Sequence, residues 1–232
     1  LKLKYYSGFT QMKQSSLSAW ISGAPQERND ATIVLDWRDK TVTTGSDLGK
    51  EIGKIRCSGE KISLRYVAEG GEAKAPAMVA NYKSVPILKS LLQKAIRRMN
   101  AEVAVSAARE IMCLDLSALL RRLPIIAVED VAPVPGIDVC IWLMAAHSKG
   151  FALSECHLEF ILGFVRALCS VPVKKRIYSL RVEKEPGASF RPEHQGLIKC
   201  MKLRKGFGGM KGDMKMLGIL ESHLNSPRFN LQ

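Results

Sequence analysis

Val85-Pro86-Ile87-Leu88-Lys89-Ser90-Leu91-Leu92-Gln93-Lys94-Ala95-Ile96-Arg97-Arg98 is where the hydrophobic period of this chain changes from two to 3.6. Ile87, Leu88, Leu91, Leu92, Ala95 and Ile96 form an apolar stripe at helical spacing. Pro86 suits the first helical position, with Ser84 before it as the cap. Arg97 and Arg98 fall in the last turn, where cations favour the helix dipole. Before this point the chain reads as strands. Ala31–Trp37 is β-branched, and Lys40–Thr44 and Lys61–Val67 alternate, with turns at Gly45, Gly59, Gly70 and Gly71. The expectation is an α+β fold, in which a small antiparallel region, a meander, precedes a larger all-α domain.

Downstream, Asn100 caps a helix through Ile111, and Asp115 or Ser117 starts another to about Val131. Pro133–Gly136 is a loop. Ile137–His147 reads as a buried helix carrying Trp142. Ser154 opens a helix to about Ser170, which Pro172 ends. Residues 171–194 are polar and irregular, and a last helix pair spans Gln195–Lys205 and Asp213–Asn225. Three divisions follow: an interaction segment over 1–30, a β-rich region over 31–80, and a helical domain over 83–232 whose C-terminal part is basic. From its start at Leu1 in place of Met, the chain is expected to be a piece of something longer.

Leu119-Leu120-Arg121-Arg122-Leu123-Pro124-Ile125-Ile126-Ala127-Val128-Glu129-Asp130-Val131 sets a double arginine, an apolar run and an acidic pair in one helix. With Leu91–Arg98 and the alanine-rich Ala101–Ile111, it resembles the C-terminal helical region of RarA/MgsA-type clamp-loader relatives, the group of the Werner-helicase-interacting proteins. The resemblance covers residues 83–131 and is a pattern of helices, not of chemistry. It implies a role beside DNA replication or repair. It also makes Glu129 and Asp130 a structural ion pair with Arg121 or Arg122, in preference to a metal site.

The formal net charge is +13 and the hydrophobic fraction 47%. A pI near 9.6 favours a polyanionic partner, nucleic acid before an acidic membrane surface. From residue 171 onward thirteen basic residues stand against five acidic ones, an excess of eight. Lys174, Lys175, Arg176, Lys202, Arg204, Lys205, Lys211 and Lys215 are therefore the candidate phosphate contacts. Tyr178, Phe190 and Phe207 are placed to stack on bases or to anchor a core.

Two short motifs add possibilities. Gln14-Ser15-Ser16-Leu17-Ser18-Ala19-Trp20-Ile21 resembles the peptide by which proteins dock on the sliding clamp PCNA. Gln14 would enter a polar pocket, while Leu17, Trp20 and Ile21 would share one face of a 3₁₀ turn. Ile21 departs from the second aromatic of that motif. The run Lys205-Gly206-Phe207-Gly208-Gly209-Met210-Lys211-Gly212-Asp213 is either an anion nest or a tight helix connection capped by Asp213.

No P-loop, dinucleotide fingerprint or zinc spacing occurs, and the four histidines are scattered. The sequence predicts no cofactor, no metal and no catalytic residue. Six cysteines without a Cys-x-x-Cys pair read as buried free thiols. They point to an intracellular, reducing compartment, the nucleus ahead of the mitochondrion. No apolar run is long enough to span a bilayer. The expected function is a non-enzymatic DNA-associated accessory protein that works within a complex. The competing classes are a basic subunit of an RNA–protein assembly, such as a mitochondrial ribosome, and a mobile-element or viral replication protein.

Overall fold

The computed structural model describes residues 31–57, 59–68, 73, 75, 79–172 and 194–224. Within them a four-stranded sheet is followed by six helices, an α+β fold. The strands are β1 (Ala31–Asp36), β2 (Thr41–Thr44), β3 (Lys50–Cys57) and β4 (Glu60–Val67). The helices are α1 (Val85–Arg97), α2 (Ala101–Ile126, closed by a π-helical turn at Ala127–Val131), α3 (Ile137–His147), α4 (Glu155–Ser170), α5 (Gln195–Gly206) and α6 (Lys211–Leu224).

The sheet is mixed, where alternation alone predicts an antiparallel meander. Its order is β2-β1-β4-β3, two antiparallel hairpins joined by a parallel β1–β4 pair. Burial explains the arrangement. Ile33, Val34 and Leu35 of β1 and Ile62, Ser63 and Leu64 of β4 are buried without alternation, so both strands belong at the centre. β2 buries only Val42, and β3 exposes Lys50, Glu51, Lys54 and Arg56, as suits edge strands.

The sheet has no core of its own. Ile33, Leu35, Ile62 and Leu64 belong to the same apolar cluster as the helices. At its centre lies α3, whose residues Val139–Ala146 are all buried. The Trp142 indole N–H donates to the Ile33 carbonyl at 3.4 Å, and the ring stacks on Tyr66 at 5.7 Å. α5 runs across the sheet from one edge strand to the other. A Cβ on Gly196 would lie 2.1 Å from the Val42 carbonyl oxygen, and one on Gly206 would lie 2.5 Å from Cys57 Sγ. A helix of this length spans roughly 17 Å, about the width of four strands. Two glycines thus seat its two ends on opposite edges.

Helices α1 and α2 form a hairpin. Asn100 caps α2 through a hydrogen bond from the Val103 amide at 3.1 Å. Ile87 and Leu91 of the predicted stripe are exposed; Leu88, Leu92, Ala95 and Ile96 carry the burial. The two helices expected over 101–131 are one element broken at Asp115, which leaves helical geometry at φ −159° and ψ 86°. Its carboxylate accepts from the Ala118 amide at 2.8 Å, a fresh N-cap inside the element. Pro124 sits further along the same helix. It removes one backbone donor and crowds the carbonyl four residues back.

An aromatic cluster fixes the start of α4. His157 is fully buried, 4.2 Å from the Trp37 ring centre and 2.9 Å from the Tyr66 hydroxyl. The Ser154 amide donates to His157 Nδ1 at 3.0 Å, completing a capping box with a histidine as its third helical residue. That bond leaves Nδ1 without a proton and assigns the ring N–H to Nε2, which donates to Tyr66. None of the six cysteines is in a disulfide. No helix of the described residues is long and apolar enough to cross a membrane.

Candidate nucleic-acid interface

Two arginine systems meet at the C-terminal half of α2. Arg122 is largely buried and reaches three elements. It lies 3.7 Å from Glu129 and 3.6 Å from Asp213, and it donates to the Gln93 side-chain oxygen at 2.5 Å. The Gln93 amide in turn donates to Asp130 at 2.7 Å and Glu129 at 3.1 Å. Asp130 is completed by Arg97, whose Nε donates at 2.8 Å. The double arginine therefore splits. Arg122 joins the acidic pair, while Arg121 turns away and donates to the Phe207 carbonyl at 2.7 Å. Adjacent helical positions point about 100° apart, which is the geometric reason.

Arg204 is an internal residue. It is 4% exposed. Its guanidinium donates twice to the Arg121 carbonyl, at 3.1 and 2.8 Å, and once to the Gly208 carbonyl at 2.8 Å. Burial, with neighbouring Arg121 adding like charge, pulls its pKa down to about 10. It stays protonated near neutrality, and every one of these hydrogen bonds goes to a carbonyl of its own chain. The sequence offers Arg204 as a phosphate contact; its burial removes it from that role.

The glycine run is a cradle of carbonyls, not a nest of amides. Phe207 and Gly208 present their oxygens to Arg121 and Arg204, and the Gly208 amide is spent on the Lys205 carbonyl at 2.9 Å. Gly208 and Gly209 have φ of +71° and +154°, which turns the chain sharply enough to do this. Asp213 does not cap α6, which begins two residues earlier; it binds Arg122. Phe207 is packed against the core.

The remaining cations sort by partner. Lys205 lies 2.9 Å and Lys202 3.9 Å from Glu221, both partly exposed. Lys211 and Lys215 are exposed at the start of α6 and form no ion pair with a described residue. Lys174, Lys175 and Arg176, and the segment holding Gln14, Leu17, Trp20 and Ile21, lie outside the described residues.

Sequence reasoning missed the tip of the β3–β4 hairpin. Arg56 and Lys61 are register partners on the exposed face of that pair, two like charges directly opposite each other. Such a pairing is unfavourable by itself. Beneath the tip runs α5: the Lys202 carbonyl accepts from Cys57 Sγ at 3.2 Å, and Lys199 meets Glu60 at 2.7 Å. Lys199 and Lys202 thus lie on the α5 side of the hairpin end and Arg56 and Lys61 on its opposite, exposed face, with Lys205 a turn further along α5. Glu60 and Glu221 are the acids paired with this group. The signal was present in the polar phase of the strand alternation, but the register that makes the two positions partners is a tertiary fact.

No family model, curated protein or solved structure matches the chain.

Proposed function

We propose that the protein is a non-enzymatic accessory factor that binds nucleic acid, DNA in preference to RNA, through the cations of the β3–β4 hairpin tip and of α5. The observation that supports this reading is the Arg56–Lys61 pair, two cations held opposite each other that form no ion pair with a described residue. A phosphate backbone supplies the missing countercharge. Release of its condensed counterions provides the favourable free energy. Lys199 and Lys202 extend the positive field onto the adjacent helix. The basic residues of the chain beyond residue 171, including Lys174, Lys175 and Arg176, add to the same footprint. Docking on a sliding clamp through Gln14–Ile21 is part of this proposal and rests on the sequence motif alone.

The test is fluorescence anisotropy with labelled single-stranded DNA, duplex DNA and RNA of equal length at one fixed salt concentration. Saturable binding at low salt, with DNA competing better than RNA, is the expected result. RNA competing better would move the protein to the class of RNA–protein assembly subunits. Absence of saturable binding to any of the three would overturn the proposal.

A further inference from the structure

A cleft of about 520 Å³ opens between α2, α4 and the strand of chain at residues 79–81. It is lined by none of the cations of the hairpin tip or α5, and its charge has the opposite sign. Met112, Leu158 and Leu162 give it an apolar floor, and Arg109, Glu155 and Glu159 line it as exposed charged groups. A concave apolar surface of this size with a few convergent polar groups is the usual form of a small-ligand site.

The charges are arranged in an unusual way. Glu155 and Glu159 stand one helical turn apart on α4, where like charges repel. Arg109 faces the same cleft from α2, yet forms no ion pair with either of them or with any other described residue. Glu110, at the rim, is engaged elsewhere. Its carboxylate accepts from the Asn81 amide and side chain, both at 2.7 Å, and from the Tyr82 amide at 3.2 Å. Those bonds hold the 79–82 segment as a fixed wall. Their donors are neutral, so Glu110 adds negative charge to the cleft. A chain of net charge +13 therefore keeps an acidic hollow with a guanidinium in it that no described acid pairs.

We infer that this cleft binds a small basic amino acid or its close analogue, the ligand's ammonium groups going to Glu155 and Glu159, its carboxylate to Arg109, and its methylene chain to Met112, Leu158 and Leu162. The ligand closes the open charges on both sides at once. A plain diamine would leave Arg109 unpaired, and an apolar amino acid would leave the second glutamate unpaired.

Isothermal titration calorimetry on the full chain tests this with L-lysine, L-norleucine and 1,5-diaminopentane as probes. L-Lysine is expected to bind, with the other two at least about tenfold weaker, the scale of one charge-assisted hydrogen bond. Glu155→Gln with Glu159→Gln should weaken L-lysine by about tenfold or more. Arg109→Gln should weaken L-lysine and leave 1,5-diaminopentane unchanged. All three positions are exposed, so thermal melting of each variant should match the parent and exclude a folding artefact. No heat with L-lysine at millimolar concentration would overturn the inference. So would undiminished binding to the glutamine double variant, or diamine binding as tight as L-lysine.

Discussion

Arg204 and Lys202 sit two positions apart on α5 and have opposite fates, because one guanidinium is enclosed by carbonyls and the other cation is not. Arg204 satisfies the Arg121 and Gly208 carbonyls inside the molecule, whereas Lys202 reaches Glu221 from a partly exposed position. Arg204→Met should cost about 2–4 kcal/mol, because it strands buried acceptors, while Lys202→Met should stay within about 0.5 kcal/mol, as for an ordinary surface change. Urea denaturation measures both, and equal effects would contradict the internal role of Arg204. Asp138 offers a pH test. Burial at the start of α3 raises its carboxyl above the ordinary 3.8, against the bond from the Val139 amide. A raised carboxyl favours the protonated form in the fold. Its contribution is complete below 3.8 and is lost as pH rises through the raised folded value. Asp138→Asn keeps the acceptor and removes the charge. Its Tm should exceed that of the parent by a margin that widens from about pH 4 to pH 7; parallel pH profiles would refute this. At this scale the non-equivalence of Arg121 and Arg122 was legible from helical geometry. The partners Arg97, Gln93 and Asp213 were not, since they come from elements distant in sequence.

Helix boundaries were largely legible, whereas β3 (Lys50–Cys57) was not among the strands expected from alternation. Caps at Asn100, Asp115 and Ser154 and the buried α3 follow from local chemistry, and all fall where the sequence puts them. The mixed sheet did not emerge from alternation, because pairing between β1 and β4 is set by which strands bury both faces. The unbroken Ile33-Val34-Leu35 run carried that information, and period-two counting passes over it. Exposure of Ile87 and Leu91 has a similar cause: a wide apolar stripe does not say how much of itself the fold will cover. The seating of α5 across the sheet gives a prediction proper to elements. Gly196→Ala should be strongly destabilising, because its Cβ would collide with the Val42 backbone 2.1 Å away. Gly163→Ala in α4 meets nothing within 4 Å and should stabilise by about 0.5–1 kcal/mol, by helix propensity and a restricted unfolded chain. Thermal melting of the two variants should move in opposite directions. A neutral Gly196→Ala would mean that α5 does not press on the edge strand.

For the whole molecule, the net charge is not spread uniformly in function. Part of it is internal, in Arg122 and Arg204, where it ties α2 to α1 and to the α5–α6 connection. Part is paired at the surface with Glu60 and Glu221. Two further cations, Arg56 and Lys61, face each other across the exposed side of the β3–β4 hairpin. Composition announced a polyanion partner but pointed only at the C-terminal segment, because a strand pair brings together cations that sequence keeps five residues apart. Whether that gathered charge grips a phosphate backbone is read most directly from the dependence of log K on log salt for nucleic acid binding. The full chain is compared with the variant Arg56→Gln, Lys61→Gln, Lys202→Gln. Each phosphate that the protein no longer neutralises should flatten the slope by about 0.9 for duplex DNA or about 0.7 for single strands. The variant should show a slope shallower by roughly two to three phosphates, with affinity lowered alike for all sequences. An unchanged slope and affinity would contradict a phosphate-binding role for the hairpin tip.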